Sequence, residues 1–189
     1  MIEARGWVKG DDGIYKKGDQ RLSFEISTTD WDQNQKTVEL LTKQWKEIGV
    51  ELVSDISSVV EVQQNVIKPR SYDLLLFSQS LGADPDLYPY WHSSQVGDPG
   101  LNLASFHYKD VDKMLEEART TADINRRTEL HKAIQHRIDE EAQQVFLFSP
   151  YYSYPLSNKI HGFDRTRLTV PSDRFAEINR WYIKTKRGN

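Results

Sequence analysis

The tightest constraint on this chain's fold is an alternation of strand-like and helix-like runs between residues 22 and 80. "LSFEIS" puts Leu22, Phe24 and Ile26 at the period-two spacing of one strand face. "TTDWDQNQKTVELLTKQWKEIGV" follows, with Val38, Leu41, Trp45 and Ile48 at helical spacing. Asp30 and Gln33 stand in capping positions, and Gly49 sits where a helix end favours a left-handed residue. "VELVSDI" predicts a second strand. In "SSVVEVQQNVIKP", Ser58 and Glu61 are spaced as a capping box and Pro69 closes the helix. "YDLLLFSQS" predicts a third strand, whose apolar run is that of a central parallel strand covered on both faces. Parallel strands need crossovers and helices supply them. The order β-α-β-α-β therefore argues an α/β fold, a mainly parallel open sheet flanked by helices.

Turn signals at Asp12-Gly13 and Gly18-Asp19 predict an N-terminal hairpin ahead of the sheet. After it, "DVDKMLEEARTT" lines up Val111, Met114, Leu115 and Ala118, and "DINRRTELHKAIQHRIDEEA" lines up Leu130, Ala133, Ile134 and Ile138. With Asp123 as a cap, these form an antiparallel helix pair. "QVFLFSPYYSYPL" predicts a further strand broken by Pro150 and Pro155.

The stretch "LGADPDLYPYWHSSQ" begins at the carboxyl end of the third strand, where open α/β sheets bind ligands. Asp84-Pro85-Asp86 is turn chemistry, in which aspartates bond nearby amides. The sharper alternative makes Asp84 and Asp86 an acid–base pair or a hard-cation site, but no nucleophile motif accompanies them. Tyr88, Tyr90, Trp91 and His92 either pin the loop to the core or line a cleft, with Trp91 or a tyrosine as stacking surface.

Composition removes several classes. The 25 basic and 28 acidic residues give a formal charge of −3 with no basic stripe, which argues against nucleic-acid binding. The lack of cysteine excludes disulfides, thiolate metal sites and cysteine nucleophiles. The histidines lack metal-site spacing and the glycines form no GxGxxG or P-loop, so neither a metal nor any other cofactor is expected. Arg165, Arg167 and Arg174 in "RTRLTVPSDR" either grip a carboxylate or lie in solvent. The apolar runs are too short to span a bilayer, and "MIEARGWVKGDDG" lacks the order of a signal peptide. Either the protein is cytosolic or the chain is cut from something longer.

The succession of "ARGW", "DDGIYKKGDQRLSFEIS", "LLTKQWKEIGVELV", "YDLLLFSQSLGADPD", "VDKMLEEARTTADINRRTELHKAIQHRIDEEA", "VFLFSPYYSYPL" and "IHGF" resembles the C-terminal half of the family 5 extracellular solute-binding proteins, the oligopeptide, dipeptide and nickel binders of ABC importers. The resemblance implies a periplasmic-binding-protein type II-like lobe. Residues 1–162 would be the second ligand-binding lobe, and 163–189 a tail returning to a first lobe that this chain lacks. It further implies an extracytoplasmic parent with a lipoprotein signal, an ABC permease as partner, and a peptide or other small solute bound without catalysis. The ligand-facing residues would be Ser78, Gln79, Leu81, Gly82, Asp84 and Trp91. Peptide-binding members carry an acid before the Asp-Pro pair to hold the peptide's amino terminus. The comparable place here is near Leu81, and no acid lies between Asp73 and Asp84. A ligand-sensing regulatory domain of the same fold and a hydrolase using Asp84 and Asp86 are the alternative readings.

Overall fold

The computed structural model describes residues 2–82, 86–163 and 168–184. A short antiparallel meander leads the chain: β1 (Val8–Lys9), β2 (Tyr15–Lys17) and β3 (Gln20–Arg21). The expected hairpin is thus present with one more strand. Its turn uses Asp12, whose carboxylate accepts the Ile14 amide at 3.1 Å. The meander is fastened to the sheet by Arg21, which pairs with Glu51 at 2.7 Å and with Asp12. The Tyr15 amide also donates to the Gly49 carbonyl at 2.8 Å. Gly49 has φ +84°, and a Cβ there would stand 2.5 Å from the Tyr15 ring, so both the conformation and the close approach require glycine.

Three parallel strands follow in the order β5-β4-β6: β4 (Ser23–Thr29), β5 (Glu51–Ser57) and β6 (Leu74–Leu76). β4 extends two residues beyond the predicted Ser27 and takes the middle position. The third strand, expected to be central, is instead an edge of this sheet. Its apolar run answers to half-buried faces, and cover over the faces of a strand says nothing about neighbours along its edges.

Helix α1 (Asp32–Glu47) joins β4 to β5. Asp30 does not cap it. Trp31 holds the N-cap place with no side-chain bond, while the Asp30 carbonyl accepts from Gln35. Val38 is buried and Leu41 and Trp45 are half-buried, but Ile48 lies past the helix end and is exposed. Helix α2 (Val59–Glu61) opens with the predicted Ser58–Glu61 capping box and continues as a π-helical stretch, Val62–Ile67. Ile26, Val38 and Leu52 form the core under the sheet, joined by Leu41, Trp45, Leu74 and Leu76.

A second core lies around the short α3 (Tyr88–Trp91) and the helix pair α4 (Lys109–Thr120) and α5 (Ile124–Glu141). Asp123 caps α5, accepting the amides of Asn125 and Arg126. Trp91, Phe106, Val111, Leu115, Ile134 and Ile138 form this core, while Ala133 faces solvent. Asn102 is fully buried and binds it together: its amide donates to the His92 and Phe106 carbonyls, and its oxygen accepts the Phe106 amide.

The strand predicted in "QVFLFSPYYSYPL" does not form. Val145 is 72% exposed and Phe146 62%, and no described strand pairs with the segment. β-propensity supplies side chains that fit a sheet, but without a partner edge there is no ladder. Further on, β7 (Ile160–His161) pairs antiparallel with β8 (Tyr182–Ile183), beside a cluster of Tyr154, Phe163, Phe175 and Trp181. Among the described residues no helix is long and apolar enough to cross a membrane.

Asn102→Leu removes the partner of both the Phe106 amide and carbonyl, so urea unfolding is expected to show a loss of about 3 kcal/mol. A loss under about 0.5 kcal/mol contradicts the role given to Asn102. The Arg21 guanidinium holds both Asp12 and Glu51 below the usual carboxylate range. Their contribution to stability is therefore complete above the ordinary carboxylate values and fades as pH falls through the depressed ones. Unfolding followed below about pH 4 should show a shallower acid loss in Arg21→Ala than in the parent chain.

Candidate functional site

The carboxyl ends of the three parallel strands open on one side of the sheet. From β4 the chain passes through α1 to β5, then returns past β4 to β6. The direction of strand addition reverses between β4 and β6, which is the position of the binding crevice in open α/β sheets. Thr28 pairs in register with Leu76, so Asp30 and Ser78 each lie two residues beyond that pair, past the ends of neighbouring strands. Neighbouring strands stand about 4.8 Å apart. Below the opening, Ser27, Thr28 and Thr29 are buried. Thr28 donates to the Leu76 carbonyl at 2.8 Å, and Asn34 donates to the Thr29 hydroxyl at 2.8 Å. On the β5 side the Asp30 amide bonds the Ser57 carbonyl at 3.0 Å. The mouth is thereby a rigid polar ledge.

Ser78, Gln79, Ser80, Leu81 and Gly82 run out from β6 along this ledge and are all exposed. Gly82 has φ +73°, which turns the chain where a side chain would be strained. The Gln79 amide group is turned back to the scaffold, donating to the Leu101 carbonyl at 3.1 Å. Asp84 lies outside the described residues, as do Arg165 and Arg167. Arg174 is occupied by the Tyr152 hydroxyl and by the faces of Tyr154 and Phe175. Asp86 accepts the Tyr88 amide and pairs with Arg119.

Trp91 departs from the expected stacking role. It is 5% exposed and meets Phe106 edge-on at 5.5 Å. The turn of helix at Tyr88–Trp91 rotates the indole inward, so in this structure it supports the loop from beneath and offers no face to a ligand. The exposed ring at the mouth belongs instead to Trp31, 59% exposed and directly beyond β4. Beside it the Asp30 carboxylate has no ion pair or hydrogen bond among the described residues. Reading Asp30 as a cap concealed both; their position after the middle strand was the available signal.

Of the carboxyls held below their usual range, Asp12, Glu51, Glu117 and Glu141 belong to surface ion pairs on other parts of the chain, and Glu61 is lowered by the Ser58 hydroxyl and amide of the α2 capping box. Two cavities, of about 200 Å³ beside Tyr88 and Arg119 and about 230 Å³ beside Arg21 and Lys46, also lie away from the mouth. His92 points its Nε2 at Glu116 and Asp112, 3.5 and 3.7 Å away. Among the described residues no group of three histidines or acids is arranged to hold a metal ion. The mouth is an open wall furnished with backbone groups, hydroxyls, one carboxylate and one indole.

No family model matches the chain. The oligopeptide-binding protein AppA of Bacillus subtilis is 24% identical over 186 residues, covering 97% of this chain and 33% of that protein. The probable D,D-dipeptide-binding periplasmic protein DdpA of Escherichia coli is 32% identical over 83 residues, 43% of this chain and 16% of that protein. The fold is that of AppA solved with a nonapeptide, with a TM-score of 0.74 at 23% identity over 97% of this chain and 36% of that one. NikZ of Campylobacter jejuni, solved with Ni(L-His), superposes with a TM-score of 0.73 at 22% identity over 95% of this chain and 37% of that one. The chain's relatives are family 5 solute-binding proteins. It spans about a third of the length of AppA.

The opposite settings of Trp31 and Trp91 can be read by fluorescence. Trp31→Phe should remove the component most readily quenched by iodide, and Trp91→Phe a component that iodide scarcely reaches. Equal quenching losses from the two variants contradict the assignment of one ring to the mouth and the other to the core.

Proposed function

We propose that this chain is the second lobe of the substrate-binding component of an ABC importer for peptides or similar small solutes, residues 1–162 forming the lobe and 163–189 its tail. The reading rests on the exposed ledge at the β4/β6 reversal point, in a fold shared with AppA and NikZ. Ser78, Gln79, Leu81 and Gly82, together with Asp30 and Trp31, would supply backbone hydrogen bonds, one charge and one stacking face. Asp84 is retained as a ligand-facing residue by the resemblance alone. Binding proceeds without chemistry, and the tie of Asp86 to Arg119 and the Tyr88 amide supports a structural role for that carboxylate over acid–base work.

In this account a first lobe covers the ledge and closes on the ligand, and the closed pair is presented to a permease outside the cytoplasm. A single wall buries only part of a ligand, so the chain alone binds weakly.

Titration of the chain with trialanine, followed by amide NMR, tests both points. Shifts should concentrate at residues 29–31, 57–58 and 78–82, with a dissociation constant weaker than about 100 μM. Submicromolar binding overturns the one-wall argument. Shifts elsewhere, with none at the ledge, overturn the site.

A further inference from the structure

The described parts of the loop between β6 and α3, residues 77–82 and 86–87, are held from behind by three side-chain ties. Near its start, Gln79 reaches the Leu101 carbonyl at 3.1 Å. In its middle, the Tyr90 hydroxyl donates to the Ser80 carbonyl at 2.9 Å. At its far end, Asp86 meets Arg119 Nε at 3.2 Å, and the guanidinium carbon sits 4.5 Å from the centre of the Tyr88 ring. Tyr88 in turn stacks on His92 at 4.1 Å.

Two of these ties start from parts of the structure that are themselves fixed. Tyr90 and the buried Trp91 are adjacent in α3, and α3 is bound to the second core. Arg119 lies on α4 in line with Asp112 and Glu116, and Asp112 accepts both the amide and the hydroxyl of Ser93. One stripe of α4 therefore grips the segment from Asp86 to Ser93. Neither Tyr90 nor Arg119 is at the mouth, so neither needs to touch a ligand.

We infer that Tyr90 is a positioning residue, which sets the backbone of Ser80, Leu81 and Gly82 in its ligand-facing conformation, while Arg119 holds Asp86 and Tyr88 at the start of α3. The inference rests on the reading of the ledge as a binding surface. A guanidinium can bond Asp86 while lying over the Tyr88 ring, because it is planar and offers several donors; a lysine ammonium cannot do both as well. The Tyr90 bond fixes a carbonyl directly within the exposed run, so it acts on the presented backbone itself. A binding backbone that is only fractionally in the correct conformation binds more weakly by that fraction.

The experiment uses the whole chain with Tyr90→Phe, Arg119→Gln, Asp86→Asn and the Arg119→Gln/Asp86→Asn pair. In Tyr90→Phe, backbone order parameters at Ser80, Leu81 and Gly82 should fall toward 0.6 or below from values near about 0.85, while those of α4 and α5 stay unchanged. The Arg119 and Asp86 variants should both loosen Leu87 and Tyr88, Arg119→Gln the more because it also loses the Tyr88 ring, and the pair should be less than additive. Trialanine affinity should fall roughly three- to tenfold in Tyr90→Phe, as expected for one lost hydrogen bond holding the bound conformation, with the melting temperature little changed. Unaltered order at residues 80–82, or loosening that spreads through α4 and α5, overturns the inference. If the variants loosen the loop but trialanine never perturbs the ledge in the parent chain, the binding reading fails and the ties are structural only.

Discussion

The rest of this structure depends on the pairing of β4 along both of its edges. All seven of its residues are in register with β5, and Ile26, Ser27 and Thr28 are also in register with β6. A backbone amide buried without a partner is costly, so a strand covered by α1 and neighbours can exist only when both ladders are made. That requirement fixes where the crossovers end. It brings the chain out at Asp30 on one side and at Ser78 on the other, and the ledge is the consequence.

The two cores divide the work. Ile26, Val38 and Leu52 hold the sheet, and Phe106, Leu115 and Ile134 hold the helix pair and α3. Fully burying a side chain of this kind contributes about 1.5–3 kcal/mol, whereas an exposed ion pair contributes about 1 kcal/mol or less. The ties from Tyr90 and Arg119 are therefore minor for stability. Their effect is local, transmitting the rigidity of the second core to a loop that has no ladder of its own. Trp91 belongs to the same scheme, as an anchor below the surface that carries the loop.

Much of this was legible in the residues, and the failures share a cause. The capping box at Ser58 and Glu61, the cap at Asp123 and the left-handed Gly49 are local devices, and local chemistry determines them. The parallel sheet followed from the alternation of periods. What periodicity does not carry is the identity of a strand's neighbours. Among the described residues "YDLLLF" has the apolar run of a two-sided strand yet lies at an edge, and "VFLFS" has the composition of a strand yet no partner strand. Trp91 was ambiguous because a single turn of helix decides whether the ring points inward. Trp31 was hidden because Asp30 could equally have been a cap, and only the strand register puts the pair at the mouth.

The central claim is that a ligand lies against the backbone that leaves β6. Intermolecular NOEs between the methyl protons of trialanine and the amides of the chain test it most directly. The account predicts contacts to residues 78–82 and to the Trp31 indole. Contacts confined to the exposed apolar run of residues 145–152 would contradict it.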